Sequence, residues 1–229
     1  MQRYKNIVII GTSHIAIESI NEVERYIRSL NPEVIAIELD KRRLVSLFAK
    51  KRKLSIKDIK TLGIKGFLFN LIGASIEKKL GNLVGTAPGG EMRKAVELAR
   101  ELKIKIALVD QDINVTLNKL TKSITLKEKL NFFVDIIMGL FKKEKINFDL
   151  KKVPNKEIIK KLTTQFKKRY PNMYFVLVED RNKYMAKNLY RLMLNYNVVL
   201  AIVGAGHEED LIKEIKIWES LVKERKITL

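Results

Sequence analysis

The sequence predicts an α/β domain built on a mainly parallel central sheet flanked by helices, with helical insertions. Three observations carry that expectation. Short apolar runs rich in β-branched residues recur at residues 6–10, 34–37, 104–109 and 198–203, the pattern of strands buried on both faces. The first two runs and the helical stretch between them make a βαβ unit, hence a parallel pair. Each run also ends at or just before a residue able to bind a metal or carry a proton.

Taken in order, residues 6–10 form the first strand and Gly11-Thr-Ser-His14 turns the chain. Ile17, Ile20, Val23, Ile27 and Leu30 mark one face of a helix that Asn31-Pro32 ends. Residues 34–37 are the second strand, followed at once by Glu38. After Gly89-Gly90, the positions Ala95, Leu98, Ala99 and Leu102 repeat at helical spacing. Residues 104–109 follow as a strand ending in Asp110, and residues 198–203 as a strand turning through Gly204-Ala-Gly-His207 into a helix over 208–222. Between these parts, residues 41–85 and 125–195 read as basic helical insertions that cap the sheet and wall a cleft. Tyr174-Phe-Val-Leu-Val178 could pass for a strand, but Tyr174, Leu177, Val178, Met185, Leu189 and Leu192 fit helical spacing, and Pro171 suits a first helical turn.

Residues 1–229 fit one domain with a sizeable core. There is no cysteine, which excludes disulfides, thiolate metal sites and a cysteine nucleophile, and fits a reducing compartment such as the cytoplasm. Abundant Lys, Glu and Ile with few prolines resemble a thermophile composition. The net charge of +19 suits a solvated lysine-rich surface, with weak association to an anionic membrane as the alternative. The densest basic runs, Lys50-Lys51-Arg52-Lys53 and Lys167-Lys168-Arg169, lack interleaved aromatics, so no specific nucleic-acid partner is expected. The opening residues are too short and wrongly flanked for a signal peptide. No run reaches the roughly 20 apolar residues that span a bilayer. The two nearest, residues 66–73 and 132–141, are read as core-facing amphipathic helices, with an interfacial membrane contact as the alternative.

In open parallel sheets the carboxyl ends of the strands share one edge, and ligands bind there. His14, Glu38, Asp110 and His207 all fall at that edge. The chain has only two histidines, and both occur as strand, Gly-x-x-His, helix: Gly11 to His14 and Gly204 to His207. Imidazole with carboxylate is the donor set expected for Mn, Co, Zn or Fe. Glu91 follows a glycine pair in the first turn of a helix, where the macrodipole favours a carboxylate in any case. Arg181 reads either as a surface ion pair or as a fixed cation for a carboxylate or oxyanion. Ser13 adjoins His14, but neighbouring residues rarely face each other, which argues against a serine nucleophile. Dinucleotide, phosphate-loop, nucleophile-elbow and His-Glu-x-x-His signatures are absent from the sequence.

At these residues the sequence resembles the TraB/PrgY family, which also includes the Tiki proteins that act on secreted signalling proteins. The matching stretches are Gly11-Thr-Ser-His14 with Ser19, Ile35-Ala-Ile-Glu38-Leu, Gly90-Glu91-Met-Arg93-Lys-Ala95, Asp110-Gln-Asp112-Ile, Glu179-Asp-Arg181 with Met185, and Val203-Gly-Ala-Gly-His207. The resemblance implies a fold like that of the erythromycin esterase and ChaN-like group, and a metal-dependent peptidase activity. Its implied site is His14, Glu38, Glu91, Asp110, Asp112, Arg181 and His207, with Ser13 and Arg93 in support. Several members carry hydrophobic C-terminal membrane segments; this sequence stops at Leu229 without one, so a membrane-embedded role is not expected.

The expectation is therefore a metal-dependent hydrolase of peptides. His14 and His207 hold a divalent transition metal with one or two of Glu38, Glu91 and Asp110, and a carboxylate off the metal, Glu38 first, serves as base. Arg181 binds a substrate carboxylate or the oxyanion. The partner is a peptide or small-molecule substrate, with a homo-oligomer compatible with the sequence. Two alternatives stand beside it: a binding protein that sequesters a peptide signal or metal without turnover, and a basic membrane-peripheral protein.

Overall fold

The computed structural model describes residues 1–12, 17–49, 89–141 and 156–224. Ser13, His14, residues 50–85 of the first expected insertion, and the apolar run at 66–73 lie outside them. The elements, in order, are β1 (Gln2–Tyr4), β2 (Ile7–Thr12), α1 (Ile17–Leu30), β3 (Val34–Ile37), α2 (Lys41–Phe48), α3 (Gly90–Glu101) and β4 (Lys105–Leu108). There follow α4 (Ile113–Ser123), α5 (Leu126–Phe141), α6 (Lys156–Arg169), α7 (Pro171–Tyr174), a π-helical turn (Phe175–Glu179), α8 (Asp180–Asn195), β5 (Val199–Gly204) and α9 (Glu208–Lys223).

Among the described residues, five strands form one sheet in the order β1-β2-β5-β3-β4. The pairs β2–β5, β5–β3 and β3–β4 are parallel, while β1 joins β2 antiparallel. The four strands expected from sequence are thus the four parallel ones, but β2 and β3, expected as a parallel pair, do not pair with each other: β5 lies between them. The edge strand β1 is new: it is three residues long and none of them is fully buried, so it carries no periodic signal to read.

Alternating side chains build the two sides of a three-layer sandwich. Ile7, Ile9, Val34, Ala36, Val199, Ala201 and Val203 face α8 and α9, meeting Met185, Leu189, Leu211 and Ile215. Val8, Ile10, Ile35, Ile37, Leu200 and Ile202 face α1 and α3, meeting Val23, Ile27, Met92, Ala95, Leu98 and Ala99. Both faces of the middle strands are covered, which is why their sequence is apolar without alternation. Helix α1 ends as expected: Asn31 takes φ +40 and its N–H bonds the Ile27 carbonyl at 3.1 Å, with Pro32 next.

Residues 171–195 are helical, as expected, with Pro171 at the first helical position and one widened turn inside. The expectation that residues 132–141 face the core is corrected for the first three of them; the side chains from 136 on lie outside the described ones. Phe132, Phe133 and Val134 are exposed, because the helix turns its buried Glu128 to the protein. Glu128 accepts the Asn172 N–H at 2.7 Å, and Asp135 accepts Arg169 Nε at 2.6 Å. Among the described residues, no helix is long and apolar enough to cross a membrane.

Candidate active site at the carboxyl edge of the sheet

Sheet register brings Ile10, Ile202, Ile37 and Leu108 into one row. The chain leaves the sheet just past that row. Glu38 N–H donates to the Ile202 carbonyl at 3.1 Å, Val109 N–H to Ile37 at 3.1 Å, and Ala205 N–H to Thr12 at 2.9 Å. Glu38, Asp110 and the Gly204–His207 turn therefore share one edge. In that turn His207 N–H reaches the Gly204 carbonyl at 2.9 Å, and His207 then caps α9 by accepting Leu211 N–H at 3.0 Å. Gly11 is what lets this turn press against β2. A Cβ there would lie 2.9 Å from Ala205 Cα and 2.5 Å from Glu208 Oε2.

Glu38 is buried and accepts hydrogen bonds on both oxygens. Oε2 takes the Gly204 N–H at 2.6 Å; Oε1 takes Arg181 Nη2 and faces His207 Nε2 at 3.4 Å. The other ring nitrogen, Nδ1, lies 2.6 Å from Asn182 Oδ1. With that amide oxygen as acceptor, Nδ1 carries the hydrogen and Nε2 is turned to the carboxylate.

Arg181 and Asp110 tie this pair into a longer chain. Arg181 donates Nε to Asp110 Oδ1 at 3.1 Å, Nη2 to Asp110 Oδ2 at 2.5 Å, and Nη1 to the Leu177 carbonyl at 3.0 Å. Asp110 also accepts its neighbour's N–H, from Gln111, at 2.7 Å, and Arg43 Nη2; Arg43 Nε in turn donates to Asp40 Oδ2 at 2.7 Å. Carboxylates and guanidiniums thus alternate from Asp40 through Arg43, Asp110 and Arg181 to Glu38. Burial works against the charge of Arg181, but hydrogen bonds to Asp110 and the charges of Glu38 and Asp110 outweigh it and hold the guanidinium protonated. Burial likewise opposes the charge of Asp40, and the hydrogen bonds from Arg43 outweigh it, so its carboxyl titrates below the usual range.

The π turn delivers Arg181 and Asn182. Its Phe175 carbonyl accepts the Asp180 N–H one residue later than an α-helix allows, and Leu177 in the same turn anchors Arg181. Such turns recur at functional sites. Beyond it, Asn182, Met185, Ala186 and Leu189 form the buried stripe of α8, while Asn188 Nδ2 reaches the Val109 carbonyl at 3.0 Å.

Of the residues expected from sequence, Glu38, Asp110, Arg181 and His207 come together. Glu91 is buried in the first turn of α3, after Gly89 at φ +81, on the sheet face that α1 also covers. Arg93 lies on the exposed side of α3 and pairs with Glu97 at 2.9 Å. Asp112 caps α4, its Oδ1 accepting Asn114 N–H at 2.8 Å. Neither joins the cluster. Asp110, expected as a metal ligand, has both oxygens engaged by guanidiniums. Among the described residues, no three His, Asp or Glu side chains gather as a metal cage. Sequence reading missed Asp40, Arg43 and Asn182. The signal for Asn182 was a polar residue on the core-facing stripe with Met185 and Leu189; Arg43 was one of three consecutive basic residues with nothing to single it out.

An α/β protein whose parallel strands end in a histidine–carboxylate–guanidinium cluster is the class that fold and site define. Within that class, the chain belongs to the TraB/PrgY/gumN family, whose sequence signature matches residues 2–221. It is 39% identical over 220 residues to an uncharacterized protein of Methanocaldococcus jannaschii, covering 94% of this chain and 54% of that protein. It is 24% identical over 230 residues to the TraB domain-containing proteins of Bos taurus and Homo sapiens, covering 88% of this chain and 60% of each. The chain thus spans a little over half the length of these relatives.

Proposed function

We propose that the protein is a metal-dependent hydrolase of peptides, acting at the carboxyl edge of its sheet in a reducing, cytoplasmic compartment. The observation that carries this reading is the pair formed by His207 Nε2 and Glu38 Oε1, facing each other at 3.4 Å. Arg181 Nη2 already sits on that Oε1, and the imidazole nitrogen beside it is a place that a further cation, proton or metal, would favour. Imidazole and carboxylate are the donors that Mn, Co, Zn and Fe accept. The amide behind Nδ1 is the kind of outer partner that orients a ligating histidine.

In this reading His207 and His14 hold the metal, His14 being placed by sequence just after β2, the neighbour of β5. A bound divalent metal supplies a Lewis acid for the scissile carbonyl and lowers the pKa of water. Glu38 takes the water's proton. Arg181 positions Glu38 and is itself held by Asp110, which moves Asp110 from ligand to anchor. A cavity of about 620 Å³ opens beside Gly11 and the Ala205-Gly206 turn, bordered by α1, α6 and α9; Glu38, Asp110, Arg181 and His207 do not line it.

Elemental analysis and peptide hydrolysis with Mn or Co test this reading. His14→Ala and His207→Ala should each abolish most metal binding, and the double change should add little, as for groups acting as a unit. Glu38→Gln should keep the metal and lower turnover by about 10²–10⁴-fold. Metal retained by both histidine variants would overturn the reading.

A further inference from the structure

Helix α5 is amphipathic in the wrong sense for a surface helix. Glu128 points inward, accepting N–H groups of Asn172 at 2.7 Å and Met173 at 3.3 Å, while the half-exposed Asp135 accepts Arg169 and the Tyr170 hydroxyl along the flank. In its described part the apolar residues Leu126, Leu130 and Phe133 point out, being 77%, 65% and 63% exposed. At 3.6 residues per turn these three fall within about 60° of arc. The exposed lysines Lys127 and Lys129 lie on either side of that stripe.

We propose that α5 docks the protein on an anionic lipid surface. An apolar stripe flanked on both sides by basic side chains is the geometry of a helix lying in a bilayer interface. There the leucines and phenylalanine enter the acyl boundary and the lysines reach anionic headgroups. A chain charge of +19 adds long-range attraction to such a surface. A second copy of this chain fits worse: apposed stripes would gather four lysines around one apolar seam, and like charges across an interface oppose association. The inference is independent of the catalytic reading, since no residue of α5 belongs to the cluster.

Sedimentation with vesicles of phosphatidylcholine, alone or mixed with phosphatidylglycerol, tests it at about 150 mM salt. The protein should bind the mixed vesicles, and Leu130→Glu/Phe133→Glu should weaken binding at least about tenfold, the loss of two inserted apolar side chains. Its melting temperature should be unchanged because both side chains are exposed. Phe133→Trp in a Trp218→Phe background should show a blue-shifted emission on adding mixed vesicles. Binding equal to the unmodified protein by the double glutamate variant would assign the attraction to overall charge and overturn the proposal. So would an unshifted emission from the Phe133→Trp variant, failure of the unmodified protein to bind, or a solution dimer that Phe133→Glu dissociates.

Discussion

Arg181 is the residue on which the cluster turns. Among the described residues it bridges Asp110 and Glu38, so removing its guanidinium leaves Glu38 without that ion pair and Asp110 held by Arg43 on one side only. Arg181→Met should destabilise the fold by about 3–5 kcal/mol, the usual cost of breaking a buried pair from one side. Arg181→Lys should recover only part of that, because a single ammonium cannot reproduce the fork to Asp110. Guanidinium denaturation of the three proteins checks both expectations, and stabilities within experimental error of one another would remove Arg181 from this role. Glu38, Asp110 and His207 were legible in the sequence because each sits just past an apolar run. Arg181 was readable only as one of two things, an exposed pair or a fixed cation, since its partners come from strands about 70 and 140 positions away. Asn182 and Asp40 escaped notice for the same reason: what they touch is set by packing between elements, which adjacency in the chain does not reveal.

Among the elements, α5 is held by a small number of polar contacts, and one of them reports on pH. Asp135 is pulled down to about 2 by hydrogen bonds from Arg169 and then from Tyr170. An aspartate in the unfolded chain titrates near about 3.9. Its contribution is therefore fully present above that value and is lost as pH falls from about 4 towards about 2. The melting temperature of the unmodified protein should exceed that of Asp135→Asn at neutral pH, and the gap should close across that window. A gap that widens on acidification would contradict the assignment. Element scale is also where sequence reading did best and worst. Strands covered on both faces announce themselves as unbroken apolar runs, so β2, β3 and β5 were readable; β4, half-buried at the sheet edge, was readable from its β-branched and aliphatic residues despite Lys105. The orientation of α5 was not, because apolar residues at helical spacing mark a stripe without saying whether protein lies beneath it. The π turn was invisible as well, since no residue type codes for it.

For the molecule as a whole, the charge of +19 is a long-range property without a matching nucleic-acid fold. Binding to duplex DNA should be weak, independent of sequence, and should fall steeply between about 50 and 200 mM salt. Fluorescence anisotropy with two unrelated duplexes checks this; tight, sequence-dependent binding at physiological salt would reverse the interpretation. Fold class was legible at this scale because βαβ grammar and strand burial agree with each other. Strand order was not, because β5 enters the sheet between two strands that precede it by more than 160 positions, and no local pattern encodes that insertion.

The position of β5 between β2 and β3 has a consequence for how the protein is made. A chain emerging from the ribosome can pair β1 with β2, and β3 with β4, but isolated two-stranded ribbons are marginal in water. Until residues 199–204 emerge, the facing edges of β2 and β3 stay open, and open apolar edges invite pairing with other chains. Glu38 also waits for that strand, since its Oε2 partner is the Gly204 N–H. Nascent chains stalled before residue 199 should therefore be protease-sensitive and sticky, and the sheet and the cluster at its edge should be completed in one late step.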